Sequence, residues 1–95
     1  MKYLKTEPRD AVLVTEHSHD FPGYNAETVK RVSTWAKMLS PILSEAALAA
    51  VMKNPALLKE IEGDDPELMY TLGVVSEASG VAKVGFKVWA PRRKA

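Results

Sequence analysis

Residues 81–89 alternate strictly between apolar and polar. Ala82, Val84, Phe86 and Val88 fall on one side, and Lys83, Gly85 and Lys87 on the other. A period of two predicts a strand with one buried and one wet face. Trp89 continues the lysine side, and Pro91 stops the strand. An earlier run, residues 11–15, predicts a second strand with Val12 and Val14 facing one way and Leu13 the other. Pro8 limits its extension backward, and the polar His17-Ser18-His19-Asp20 group bounds it as a turn leading into Phe21-Pro22-Gly23-Tyr24.

Between the two strands the period lengthens. Val29, Val32, Ala36 and Leu39 recur on one helical face, with Asn25 placed to cap the first turn. Ser40-Pro41, Asn54-Pro55 and Asp65-Pro66 repeat one device, a capping side chain followed by proline at the first helical position. They predict further helices over 41–53, over 55–62 closed by Gly63, and over 66–79 closed by Gly80. A rival for the last makes 71–76 a strand in a hairpin with 81–89, because Gly73, Val74 and Val75 are poor helix formers. The expected fold is α+β: a small sheet of two or three strands from the chain ends, covered by three to four short helices. It forms one compact domain over 1–95, with 1–9 and 91–95 as frayed ends.

Composition narrows the function. At 95 residues the chain fits one core. It has no cysteine, so disulfides, thiol catalysis and cysteine-based zinc sites are excluded. Its first ten residues lack the apolar run of a signal peptide, and its apolar stretches are too short to span a bilayer. The expectation is a soluble cytoplasmic protein without membrane contact. The net charge of +1 gives no bulk attraction for nucleic acid, but the charge is unevenly spread. Residues 45–77 carry seven acids against Lys53 and Lys59, whereas residues 78–95 carry five bases and no acid.

The most chemical stretch is the end of the first strand. His17 and His19, two apart on an extended chain, would point the same way and could share a metal. Over residues 12–20 this is similar to the opening of metallo-β-lactamase and amidohydrolase sites. It departs at Phe21 and Pro22, and the chain has only two histidines, where catalytic zinc takes three protein ligands. The serines lie in no nucleophile-elbow context, and the phosphate-loop and dinucleotide patterns are absent. The acids Glu60, Glu62, Asp64, Asp65 and Glu67 lack the spacing of a calcium loop. A helix-turn-helix over 41–62 would present an acidic recognition helix, which repels phosphate.

What remains points to surfaces. Phe21 and Tyr24 flank the turn after the first strand, Trp89 sits on the lysine side of the last, and Lys83, Lys87, Arg92 and Arg93 make that end basic. The sequence is therefore expected to encode a non-enzymatic protein–protein interaction module, needing no cofactor and acting on another protein or a second copy. It would be a small accessory, inhibitor or assembly protein of the kind phages and mobile elements encode. The alternatives are a nucleic-acid-binding protein using the basic C-terminal strand and tail, and a metal-binding protein using His17 and His19.

Overall fold

The computed structural model describes residues 1–23, 25–63, 66–76 and 80–94. In chain order the elements are β1 (Lys2–Leu4), β2 (Ala11–Pro22), α1 (Ala26–Lys53), α2 (Pro55–Glu60), β3 (Met69–Ser76) and β4 (Val81–Pro91). The strands form one sheet in the order β1-β3-β4-β2. β1 runs parallel to β3, and the other two pairings are antiparallel. The sheet therefore has four strands of mixed direction, and only two helices, one of them long, accompany it among the described residues. This corrects the expected two or three strands under three to four short helices.

β4 is built as its alternation predicts. Ala82, Val84, Phe86, Val88 and Ala90 are all buried, and their side of the sheet carries the core. The centre of that core joins Phe86 and Val88 to Val12, Ala36, Ala47, Val51, Ile61 and Leu68. A second patch of Phe21, Val32 and Val84 shares Trp35 and Leu72 with it. Tyr70 of β3 stacks on Phe86 at 4.8 Å between ring centroids.

α1 corrects the expected break at Ser40-Pro41. It runs unbroken for 28 residues, about 42 Å at 1.5 Å per residue. Asn25 caps its start, accepting a hydrogen bond from the Thr28 backbone N–H at 3.0 Å. Pro41 lies inside it. Ala36, Ala47 and Val51 are buried on one stripe that continues on both sides of Pro41, which is itself exposed, and that continued packing outweighs the lost bond. The cap at Asn54-Pro55 does start a helix: Asn54 Oδ1 accepts from the backbone of Ala56 at 3.1 Å and Leu57 at 3.4 Å.

The helix expected over 66–79 is replaced by β3, the rival reading. Thr71, Val74 and Val75 suit a strand, and pairing with β4 along 69–76 supplies the backbone partners. Asp65 and residues 77–79 lie outside the described residues. Gly80, with φ of 78°, adopts the left-handed conformation just before β4, and its carbonyl accepts from Gly23 N–H at 2.7 Å.

β2 is longer than expected. It continues through the histidines to Pro22, with a bulge between Leu13 and Thr15. Near the chain ends, Lys2–Leu4 is a strand, and Arg92 bridges to Ile61. Because β1 and β2 occupy opposite edges, residues 5–10 must cross the sheet. They do so on the face opposite the helices, where Glu7 pairs with Lys87.

Candidate interaction surface

The bulge decides where the histidines point. Before it, Val12 faces the helices opposite Ala90; after it the phase reverses, and Thr15, His17, His19 and Phe21 stand opposite Val88, Phe86, Val84 and Ala82. Both imidazoles therefore lie on the helix side, at the exposed rim where β2 forms the sheet edge. They meet Trp35 of α1, at 6.0 Å from His17 and 5.9 Å from His19 between ring centroids. Phe21 closes the cluster edge-on to His19 at 4.8 Å and to Trp35 at 5.8 Å, with the Arg31 guanidinium 5.7 Å from its ring centre. Among the described residues no group of three or more His, Cys, Asp or Glu is placed to hold a metal ion. The histidines are aromatic neighbours of a tryptophan, and Phe21, 3% exposed, belongs to the core instead of an exposed loop tip. Tyr24 lies outside the described residues.

Among the described residues no helix lies over the opposite face of the sheet. Along β4 it carries Lys83, Gly85, Lys87 and Trp89, and their neighbours bring acids. Glu16 pairs in register with Lys87, and Asp20 with Lys83. Lys87 also donates to Glu7 Oε1 at 2.8 Å. That hydrogen bond, then the charges of Glu7 and Glu16, raise its pKa above the ordinary lysine value. Trp89 is half-buried, and its indole donates to Thr71 Oγ1 at 2.9 Å.

The basic end is tied down as well. Arg92 N–H donates to the Asp10 carbonyl at 3.0 Å. Arg93 donates from its backbone to Glu60 O at 2.7 Å and from Nε to Ile61 O at 3.2 Å, with Nη2 reaching Leu58 O at 3.5 Å. Both side chains remain exposed. The six expected interaction residues inside the described regions thus fall on different surfaces: Phe21 in the core, Lys83, Lys87 and Trp89 on the open face, Arg92 and Arg93 against α2 and the start of β2.

No family model, curated protein or solved structure matches this chain. Function must be argued from its own surfaces. No helix among the described residues is long and apolar enough to cross a membrane.

Two surfaces stand out that the sequence did not single out. The first is the outer side of α1. Met38, Ile42 and Met52 are 67%, 62% and 67% exposed, and Glu45 is the one charged residue from 38 to 52. Met38, Ile42, Glu45, Ala49 and Met52 follow four–three spacing, which places them on one stripe. The signal was available, but the supposed helix start at Pro41 divided the stripe and turned its phase into two shorter patterns. The second is the outer edge of β3. β1 pairs only with Met69, Tyr70 and Thr71, so among the described residues no strand lies beside 72–76 on that side. No residue type marks such an edge in a sequence; it is a product of topology.

Proposed function

We propose that this chain is a non-enzymatic protein–protein interaction module, a small accessory, inhibitor or assembly protein, which receives an amphipathic helix of another protein on the outer face of α1. The observation that carries this reading is the exposed run from 38 to 52 with its single charge. A helix lying on a sheet with its far side in water normally carries charged residues there, and one apolar on both sides expects cover on both. Met38 and Met52 are flexible and polarisable, suited to packing against another helix.

Glu45, at the midpoint of the run, selects the partner. A second copy laid along the full stripe would set Glu45 against Glu45, and like charges at an apolar seam oppose pairing. A partner helix with apolar positions flanking one lysine or arginine satisfies both features. The open sheet face suits a nucleic-acid ligand less well, because Lys83 and Lys87 each stand in register with a carboxylate.

The test is affinity capture from the native host with the wild-type chain, Ile42→Glu and Glu45→Lys, all checked by circular dichroism. The reading requires a captured protein that Ile42→Glu loses and Glu45→Lys weakens, with binding restored when the partner's basic residue is changed to glutamate. Equal recovery by all three chains overturns it.

A further inference from the structure

We infer that two copies of this chain join edge to edge through β3, making one continuous eight-stranded sheet. The inference is independent of the α1 reading. It begins from the short β1. β1 fills the slot beside β3 at residues 69–71 only, since the chain leaves at Lys5 to cross the open face. β3 continues to Ser76, and among the described residues no strand faces its outer N–H and C=O groups beyond Thr71. Sheet edges are usually guarded by lysine, proline, a bulge or a covering segment. Residues 72–76 read Leu-Gly-Val-Val-Ser, without charge or proline, and the pairing of β3 with β4 is regular throughout. The other edge, β2, does carry such guards: a bulge after Leu13, Glu16, Asp20 and a terminal Pro22.

The bare run is self-complementary. An antiparallel two-fold pairing of the whole run sets Leu72 opposite Ser76 of the second copy, Gly73 opposite Val75 and Val74 opposite Val74. Residues directly opposite point to the same face. Val75, 62% exposed on the open face, would come to lie beside Gly73 of the other copy, and a Cβ built at Gly73 meets nothing within 4 Å. That space opens into a cavity of about 320 Å³ walled by Thr71, Leu72, Gly73 and Gly85 of the sheet, with Lys5, Thr6 and Glu7 of the crossing segment and Lys87 at its far side. The large-against-small match occurs twice by symmetry. On the helix side the two Val74 residues, 44% exposed, cover each other. The run also ends where it must: Ser76 of the second copy stops in line with Leu4 of the first, so β1 and the incoming strand share one slot end to end. A second copy fits this edge better than an unrelated peptide because it supplies both the valine for the glycine and the matching length.

Sedimentation equilibrium up to about 1 mM, where weak contacts register, tests it. The wild-type chain should approach twice its 10.5 kDa mass. Val74→Glu and Val74→Lys should each remain at single-chain mass, because each sets like charges opposite one another. Mixed in equal amounts, they should recover the doubled mass. Gly73→Val offers a second block that leaves the fold in place, since it fills the seat of Val75. Ile42→Glu should dimerise as the wild type does, which separates this edge from the α1 surface. A wild-type chain that stays at single mass overturns the inference, and so does a dimer that Val74→Glu and Gly73→Val both leave intact.

Discussion

Trp89 on β4 and Thr71 on β3 are diagonal neighbours across the open face, joined by an indole-to-hydroxyl hydrogen bond of 2.9 Å. Thr71 is buried although no helix among the described residues covers its side of the sheet. The bond gives that face a small fixed centre. Thr71→Val strands the indole N–H and should cost about 1 kcal/mol in urea unfolding. Trp89→Phe in the Thr71→Val background should then cost less than Trp89→Phe alone, by a coupling of about 0.5–1.5 kcal/mol. Additive losses would mean the bond contributes nothing.

Thr15 sits just past the bulge, and its Oγ1 is buried without a hydrogen-bond partner among the described residues. A buried hydroxyl in that state costs about 1–3 kcal/mol relative to a paired one. Thr15→Val keeps the branched shape and removes the unpaired group. It should raise stability by about 1 kcal/mol, read as a higher urea midpoint at unchanged slope. A lower midpoint would mean that the hydroxyl is satisfied in solution.

Pro41 leaves the Lys37 carbonyl without its helical donor. Proline within a helix costs about 3 kcal/mol, partly returned because it also restricts the unfolded chain. Pro41→Ala should therefore stabilise the protein by about 1–2 kcal/mol and raise its melting temperature by several degrees. The gain should appear in calorimetry with no change in helix content.

How much of this was legible in the sequence depends on whether one period governed each segment. β4 was legible residue by residue from Val81 to Trp89, because Ala82, Val84, Phe86 and Val88 alternate with no interruption, but it runs on through Ala90 to Pro91, where a stop was expected. The Asn25 and Asn54 caps were legible because a cap is a local hydrogen bond. Ser40-Pro41 has the same local form, yet there the packing of Ala36, Ala47 and Val51 along one stripe overrides it. β2 was cut short because its bulge shifts the inward positions from Val12 to Thr15, and a single alternation cannot hold both phases. That shift also hid the histidines' true neighbour, since only the register with β4 turns them toward Trp35. For 71–76 the residue preferences were correct and the supposed cap before them misled.

β1 has a consequence for the order of folding. Its three residues pair with β3 only after the intervening chain has returned, so Lys2 must find Met69, 67 positions further along the chain. Contacts that close so long a loop with so few bonds form late and are the first to open. While β1 is lifted, the unpaired margin of β3 lengthens from residues 72–76 to the full 69–76. The length of edge offered to another strand is thus a matter of timing, governed by how fast three residues zip back.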